Sequence, residues 1–311
     1  MQQYSKQLLQ LLTEQKTEWP LAAKNFAGLE KVRVKVFNFG CIEIKVQFNP
    51  ERIVSSAAKV DAKSIETRPC FLCNANRPEE QREIHIGTYS VLVNPFPIFP
   101  QHFTIVAGEH VPQQIKGRLG DMLDLAFSLP GFTLFYNGPK CGASAPDHFH
   151  FQAGNSGFMP IEKELEALKT RSTEKLNSLK SEAWVVKDGL RNFILLEASE
   201  KDVLAKDFQK IYDSLEAVDE EPMMNVLAFY KRDKWKLIVF PRAIHRPVQY
   251  FAEGEANILI SPASVDMGGV LITPLERDFE KISKEDISDI FQQVLYSEPA
   301  FNQLIQNLEN A

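Results

Sequence analysis

The spacing of apolar residues predicts a long helix followed by paired strands in the first part of the chain. Leucines recur at helical spacing over residues 7–26, whereas residues 32–48 alternate apolar with basic or polar side chains, as two paired strands do. Residues 49–52 interrupt that alternation. Further along, residues 89–93 and 103–106 are apolar runs that predict neighbouring strands joined by a proline-rich loop.

Downstream of these strands, helical and strand patterns alternate again. Residues 111–129 carry their apolar side chains on one side of a helix and predict an amphipathic element. Strands are predicted at residues 132–136 and 148–153, and a charged helix over residues 163–181 would link two halves of the chain. Together these elements predict an α+β fold, in which an antiparallel sheet is flanked by helices.

Two segments of equal length suggest that the chain contains a degenerate duplication. Residues 91–110 and 226–245 each run apolar strand, loop, apolar strand, turn and histidine. A further β segment follows each of them, but the one at residues 258–273 has no histidine motif. We therefore predict two halves: residues 1–158, which carry the chemistry, and residues 159–311, which have lost it.

Composition and charge narrow the class of protein. With 311 residues and 44% hydrophobic content, the chain can bury a sizeable core. Its net charge of −6 argues against a nucleic-acid binder, and no apolar run approaches the roughly 20 residues that a transmembrane helix needs. The polar N-terminal segment is unlike a signal peptide, and four cysteines fit a reducing cytoplasm.

Three polar residues, His148, His150 and Gln152, stand at every second position of the predicted strand at residues 148–153. Alternate residues of a strand share a face, so these side chains would line one surface while Phe149 and Phe151 are buried on the other. The alternative is a half-buried strand with incidental histidines. Because the chain contains only six histidines, two at this spacing favour a reactive surface.

The same region resembles the signature of a known superfamily. Residues 137–152 read Asn-Gly-x-x-x-Gly-Ala-Ser-x-x-x-His-x-His-x-Gln, which is similar to the motif of the histidine-triad nucleotidyltransferases. That branch contains galactose-1-phosphate uridylyltransferase, diadenosine tetraphosphate phosphorylase and the GDP-hexose phosphorylases. The resemblance implies a histidine-triad-like (HIT-like) fold with two such halves in one chain. It also implies that His150 is the nucleophile and that Gln152, which replaces the third histidine of the triad hydrolases, marks transfer rather than hydrolysis.

The residue types suit that chemistry. A neutral imidazole can attack the α-phosphorus of a nucleotide and so divide one transfer into two displacements. The amide of Gln152 can donate a hydrogen bond to a phosphate oxygen as charge develops there. Unlike a histidine, it cannot activate water, so the nucleotidyl-enzyme would wait for a phosphorylated acceptor.

Residues near the motif are candidates for substrate binding. Gly142 is small enough to let backbone N–H groups approach an anion, and Ser144 and Asn137 would bind phosphate oxygens. Lys140 could neutralise a phosphate, and Asn94 matches a position that in the resembled family helps to hold the sugar of the nucleotide. The alternatives are that Asn137 and Ser144 only cap the loop, that Lys140 is a solvated loop residue, and that Asn94 only ends a strand.

A second constellation is the Cys-x-x-Cys pair of Cys70 and Cys73. Its flanks lack the βαβ context of a redox motif, and a zinc site would need two more ligands. His110 and His148 can supply them, and zinc-bearing members of the resembled superfamily use this set, although His102 competes with His110. We predict a structural zinc, with iron as the alternative metal and unligated cysteines as the alternative reading.

We expect a nucleotidyltransferase or phosphorylase that acts on a nucleoside diphosphate sugar or a dinucleoside polyphosphate. Its second substrate would be phosphate or a hexose 1-phosphate, with no nucleic-acid or membrane partner, and a homodimer stays open. In the resembled superfamily the uridylyltransferases typically carry proline between the two histidines of the motif, and Phe149 stands there in this chain, so the resemblance favours phosphate. The alternatives are a hexose-1-phosphate uridylyltransferase, a non-catalytic nucleotide-binding protein on the same scaffold, and a hydrolase, which the missing third histidine disfavours.

Overall fold

A nine-stranded antiparallel sheet forms the centre of the protein in the computed structural model, which describes residues 2–56, 60–172 and 174–310. The strands are β1 (Arg33–Phe39), β2 (Ile42–Phe48), β3 (Glu83–Ile86), β4 (Tyr89–Val93), β5 (His102–Ala107), β6 (Phe132–Asn137), β7 (His150–Asn155), β8 (Glu182–Lys187), β9 (Asn192–Ala198), β10 (Ala217–Val218), β11 (Glu221–Pro222), β12 (Met224–Lys231), β13 (Lys234–Pro241) and β14 (Val270–Thr273). The helices are α1 (Gln2–Glu18), α2 (Pro20–Gly28), α3 (Ile53–Ser56), α4 (Ala62–Thr67), α5 (Leu119–Ser128), α6 (Ile161–Arg171), α7 (Lys201–Ser214), α8 (Val248–Phe251), α9 (Ser264–Met267), α10 (Glu276–Lys281), α11 (Lys284–Val294) and α12 (Glu298–Asn310). None of the described helices is long and apolar enough to cross a membrane.

The strand order of the large sheet contains the same arrangement twice. The order is β3-β4-β5-β7-β6-β12-β13-β9-β8, so β4-β5-β7-β6 is repeated as β8-β9-β13-β12. Helix α5 lies between β5 and β6 in the chain, and α7 lies between β9 and β12. The two arrangements meet at the centre of the sheet, where β6 pairs with β12 and Asn137 is opposite Asn225.

The duplication predicted from the sequence therefore matches the wrong pairs of strands between the two halves. Residues 226–245 cover β12 and β13, which match β6 and β7 in the order and not the β4–β5 pair covered by residues 91–110. A strand-loop-strand pattern is common to all of these hairpins, so the pattern alone cannot say which hairpin matches which.

Apolar side chains cover both faces of the large sheet. One core contains residues of helices α1, α2, α5, α7 and α12, such as Leu8, Leu123 and Phe208. The other contains residues of the small β1-β2-β14 sheet and of helices α6, α10 and α11, such as Ile44 and Phe291. Strand β14 runs parallel to β2, so a segment near the end of the chain completes a sheet that begins near its start.

Three predicted helices are shorter than their patterns suggested. The helix expected over residues 7–26 is two helices, because the chain is extended at Trp19 and Pro20 begins α2. The helix expected over residues 111–129 is confined to α5, and Gly117, with φ of 75°, has left-handed backbone just before it. The charged helix expected over residues 163–181 ends at Arg171, and Leu176 already pairs with Ala183 beside β8.

Candidate active site

Strand β7 directs His150 and Gln152 into a cavity of about 340 Å³. Phe151 and Ala153 are fully buried in the core on the opposite face. The alternation in the sequence therefore predicts the two sides of this strand correctly. The predicted strand begins two residues too early, however: His148 lies in a bend, and its N–H donates to Ala145 O (3.2 Å) in a turn.

His150 is held with one ring nitrogen available to the cavity. Its Nδ1 lies 2.9 Å from the carbonyl oxygen of His148, so Nδ1 carries the proton and donates, and Nε2 keeps its lone pair. No described residue hydrogen-bonds Nε2. Gln113 fixes the backbone of His150, because its amide accepts from His150 N (2.8 Å) and donates to His150 O (2.9 Å). Burial lowers the pKa of His150 to about 4, so the ring is neutral near pH 7.

Gln152 is oriented by His102. The Nδ1 of His102 accepts from Ile98 N (3.1 Å), so its Nε2 carries the proton and donates to Gln152 Oε1 (3.0 Å). Asn94 Nδ2 reaches the same oxygen at 3.4 Å. Since the oxygen of Gln152 is occupied, its NH₂ group is the end that can donate into the cavity. Burial, followed by the charge of Arg52, lowers the pKa of His102 to about 3, which keeps this ring neutral.

The candidate phosphate-binding residues divide into two groups. Gly142, Ser144, Asn137 and Asn94 line the cavity. The Oδ1 of Asn137 accepts from Ser264 N (2.8 Å) and from an amide N–H of Asn225 (3.0 Å), so this atom holds a neighbouring loop. The Oδ1 of Asn94 accepts from Phe96 N (2.9 Å) and shapes the proline-rich loop.

Lys140, the last of these candidates, does not line the cavity. Its ammonium group pairs with Asp219 and lies beside a separate surface depression. The sequence-based expectation that Lys140 neutralises a phosphate therefore has no support from its position. The sequence alone does not show whether the side chain of a loop lysine points into a neighbouring cavity or away from it.

Two arginines, Arg52 and Arg246, also line the cavity. Arg52 follows the break after β2, and its guanidinium donates to Phe96 O (2.6 Å) while its Nε has no partner among the described residues. Burial lowers the pKa of Arg52 to about 10, so it stays charged near pH 7. His245 and Arg246 reach the cavity from the second half. No local sequence motif marks these positions, because tertiary packing alone brings them to the site.

Another part of the cavity wall is apolar. Trp19, Leu21, Phe71 and Phe96 contribute to it, and Phe71 is 46% exposed in spite of its aromatic ring. A flat, partly exposed aromatic surface of this kind can stack on a nucleobase.

The four predicted metal ligands come together beside the cavity. Cys70, Cys73, His110 and His148 each offer one ligand atom, and these atoms lie within 4.8 Å of one another. The Sγ of Cys73 is 3.2 Å from Nδ1 of His110 and 3.5 Å from Nδ1 of His148. Two thiols and two imidazoles in this arrangement are a suitable set for a tetrahedral metal ion such as zinc. His110 lies in the cluster with the cysteines. His102 does not, and its ring is hydrogen-bonded to Gln152 instead.

The metal cluster is connected directly to His150. The Nε2 of His148 donates to Ala107 O (2.9 Å), which leaves Nδ1 unprotonated and facing the cysteines. The carbonyl oxygen of the same residue accepts from Nδ1 of His150. The backbone of His148 therefore orients the ring of His150, while the side chain of His148 is one of the four candidate metal ligands.

Two family models match successive parts of this chain. The family "Domain of unknown function (DUF4922)" matches residues 11–155, and the family "GDPGP1-like, C-terminal domain" matches residues 168–311. Galactose-1-phosphate uridylyltransferases of Halalkalibacterium halodurans and Staphylococcus saprophyticus are 24% and 25% identical over 59% and 68% of this chain. The match covers 39% and 45% of those two proteins, so this chain spans less than half the length of the curated relatives.

Among solved structures, yeast Ap4A phosphorylase Apa2 has a similar fold. Its complex with Ap4A has a TM-score of 0.58 and 18% identity, covering 90% of this chain and 97% of that one. Its complex with AMP has a TM-score of 0.58 and 19% identity, covering 89% and 95%. At these identities the likeness concerns the fold.

Proposed function

Because the chain belongs to the HIT-like branch that includes the galactose-1-phosphate uridylyltransferases and the Ap4A phosphorylases, we propose that it transfers a nucleotidyl group through a covalent intermediate on His150. The observation that carries this proposal is the lone pair of Nε2, which a single hydrogen bond from Nδ1 to His148 O directs into the cavity. A buried, neutral imidazole with a fixed tautomer is suited to attack phosphorus.

The reaction has two steps. In the first, Nε2 of His150 forms a bond to the α-phosphorus of the donor while the bond from that phosphorus to the bridging oxygen breaks, and the leaving phosphate keeps the electron pair. In the second, an oxygen of the acceptor attacks the same phosphorus and the imidazole leaves. The NH₂ group of Gln152 and the hydroxyl of Ser144 would donate to the phosphoryl oxygens, where negative charge develops. Gly142 lets the loop backbone come close to them.

The donor that fits this cavity is a nucleoside diphosphate sugar or a dinucleoside polyphosphate. Its base would lie against the apolar part of the wall at Trp19, Phe71 and Phe96, and Arg52 would offset phosphate charge. Inorganic phosphate is the proposed acceptor, with a hexose 1-phosphate as the alternative. Gln152 cannot act as a base toward water, so the adduct is expected to resist hydrolysis until an acceptor arrives.

We further propose that the cluster of Cys70, Cys73, His110 and His148 holds a structural zinc ion, with iron as the alternative metal. The ion would supply a cross-link between the loop after α4, the end of β5 and the segment before β7. In this scheme, residues 1–158 carry the reacting groups, and residues 159–311 complete the cavity wall.

The experiment is to incubate the protein with nucleoside diphosphate sugars and dinucleoside polyphosphates labelled in the α-phosphate, without acceptor. We expect one acid-labile, base-stable label per chain, which His150→Ala abolishes. Gln152→Ala should slow labelling by about 10²–10³-fold if the amide is one electrostatic donor to the transition state. The matched control is His85→Ala, because His85 is exposed and does not line the cavity; it should label normally.

The same preparation separates the alternatives. Inorganic phosphate should release a nucleoside diphosphate from the labelled protein, whereas rapid release by a hexose 1-phosphate with phosphate inert would identify a hexose-1-phosphate transferase. Tight nucleotide binding without label from any donor would identify a non-catalytic binding protein and reject the proposal.

A further inference from the structure

The second half of the chain contributes a cationic part of the cavity wall that the two steps above do not use. His245 and Arg246 follow β13, and Ser261 lies in the loop before α9; all three line the cavity that contains His150. None of them belongs to the motif at residues 137–152.

Arg242 fixes the backbone of this wall. Its guanidinium donates to Ile244 O and His245 O (3.2 Å each), to Pro262 O (3.0 Å) and to the side-chain oxygen of Asn225. Arg242 is 1% exposed, so its guanidinium is bound by these protein oxygens and not by solvent. Both loops of the wall are therefore attached to the same buried side chain.

Arg246 is held in a defined orientation beside the cavity. Its guanidinium carbon lies 4.1 Å from the centre of the Tyr250 ring, and its Nε donates to Ser261 Oγ (3.1 Å). Stacking and hydrogen bonding of this kind reduce the freedom that an arginine loses when it binds an anion.

The surroundings of His245 show that positive charge dominates this wall. Burial, followed by the charges of Arg246, Arg242 and Lys140, lowers the pKa of His245 to about 4. The carboxylate of Asp266 also lines the cavity, but its oxygens accept from Ala263 N (2.8 Å) and Ile272 N (3.2 Å), so backbone donors hold it. Arg246 and Arg242 supply the positive charge beside His245.

The cationic wall is next to the loop that precedes β7. A Cβ atom added to Gly142 would lie 2.5 Å from the Cβ of Ala263, and Pro262 O is also in contact. Ser261, which holds Arg246, is two residues before Ala263. The wall is thus adjacent to the loop of Gly142 and Ser144, at the side where phosphoryl oxygens would bind.

We propose that Arg246, His245 and Ser261 form a subsite for the phosphate group that leaves the α-phosphorus in the first step and attacks it in the second. The proposal rests on the proposed function. Because both steps displace along the same line, the β-phosphate of the donor and the phosphate of the acceptor occupy one position. The subsite recognises a phosphate group, which inorganic phosphate and a hexose 1-phosphate share.

The test compares two ways of loading His150. A nucleoside diphosphate sugar has a phosphate leaving group, whereas a nucleoside 5′-phosphorimidazolide transfers the same nucleotidyl group and releases imidazole. Arg246→Ala should load normally from the phosphorimidazolide but about 10- to 100-fold more slowly from the nucleotide sugar, as expected for loss of a charge-assisted contact. The loaded variant should also need about 10- to 100-fold more inorganic phosphate, or more hexose 1-phosphate, for release.

The controls distinguish the subsite from damage to the fold. Arg246→Lys should recover part of the loss because it keeps the charge, Ser261→Ala should show a smaller loss, and Arg277→Ala, at an exposed arginine outside the cavity, should show none. Equal slowing with the phosphorimidazolide, or wild-type release by both phosphate acceptors, would overturn the proposal. Failure of wild-type protein to label with any donor would instead reject the proposed function.

Discussion

His150 and Gln152 are the two side chains that we propose act on the phosphoryl group. In each of them, a fixed partner binds the polar atom that faces away from the cavity. The backbone carbonyl of His148 binds Nδ1 of His150, and the ring of His102 binds Oε1 of Gln152. A histidine can present either tautomer and an amide can rotate by half a turn, so without these partners each side chain would spend time in the wrong form. In the proposed reaction, this arrangement would pre-organise the lone pair of His150 and an N–H group of Gln152 for the same phosphoryl group.

The depressed pKa of His150 leads to a prediction about pH. A histidine attacks only when neutral, and burial lowers this pKa to about 4, below the ordinary value of about 6.5. We expect the single-turnover rate of adduct formation from a nucleotide sugar to be nearly constant from pH 8 to pH 5. It should decline only as the pH falls through about 4, because protonation then removes the nucleophile.

Gln152→Ala is the control for that profile. The amide does not titrate, so the variant should react more slowly at every pH while keeping the same midpoint. A midpoint near 6.5 in the wild-type protein would mean that the His150 ring is solvated during the reaction, contrary to its 3% exposure.

At the scale of elements, the metal cluster attaches the loop of Cys70 and Cys73 to β5 and β7, which already pair with each other in the sheet. Cys73→Ser should therefore lose the metal and lower the midpoint of thermal unfolding, because binding of the ion contributes to folding free energy. Labelling at His150 should also become slower, since His148 orients that ring. Metal content, calorimetry and labelling of the same preparations are the measurements.

Two variants check which residues belong to the cluster. Cys41→Ser should keep the metal, because Cys41 is exposed and lies outside the cluster. His110→Ala should lose it, whereas His102→Ala should retain it and slow the chemistry through Gln152. Metal loss in His102→Ala with retention in His110→Ala would contradict the ligand assignment.

The turn before β7 provides a second prediction at this scale. Gly142 and Gly157 both have positive φ, of 93° and 82°, but only Gly142 has a neighbour where a Cβ would lie. Gly157→Ala should cost roughly 1–2 kcal/mol for the left-handed backbone. Gly142→Ala should cost about 1–3 kcal/mol more, because the added methyl group meets Ala263 in a packed contact.

Urea unfolding of the two glycine variants measures the difference. Gly142→Ala should also label His150 more slowly, because the loop must move to accept the methyl group. Equal destabilisation of the two variants would show that the loop yields freely, and Gly142 would then be explained by its backbone angle alone.

Local periodicity was enough to predict the strands around the site, and the failures have specific physical causes. Strand β7 shows its two faces in the sequence because His150 and Gln152 face the cavity, whereas the alternating residues Phe151 and Ala153 enter the core on the other side. Helix ends were predicted less well, since a single left-handed glycine or a proline decides them. Arg52 could not be predicted as a cavity residue, because it reaches the cavity only through contacts distant in sequence.

At the scale of the whole molecule, the two sequence halves share their sheets. Strand β6 of the first half pairs with β12 of the second over four residue pairs, from Asn137 with Asn225 to Leu134 with Ala228. Strand β14 of the second half pairs with β2 of the first, where Leu271 is opposite Val46. The strand order repeats, but the shared sheets connect the two halves through backbone hydrogen bonds.

This sharing predicts how fragments behave. A fragment of residues 1–158 would expose the edge of β6 with the apolar residues Leu134 and Tyr136, and β2 would keep β1 but lose β14. An unpaired, apolar central edge favours aggregation. We therefore expect the fragment alone to aggregate or to lack cooperative unfolding, as judged by size-exclusion chromatography, circular dichroism and urea titration.

Co-expression with residues 159–311 is the control, because the missing strands are then supplied in trans. The two fragments should co-purify as a complex with a cooperative transition and should label at His150, since the cavity needs wall residues such as Arg246 from the second fragment. A monomeric 1–158 fragment that unfolds cooperatively would mean that the β6–β12 junction contributes little to stability. In that case the first half would be an autonomous domain, and the second would act only by completing the cavity.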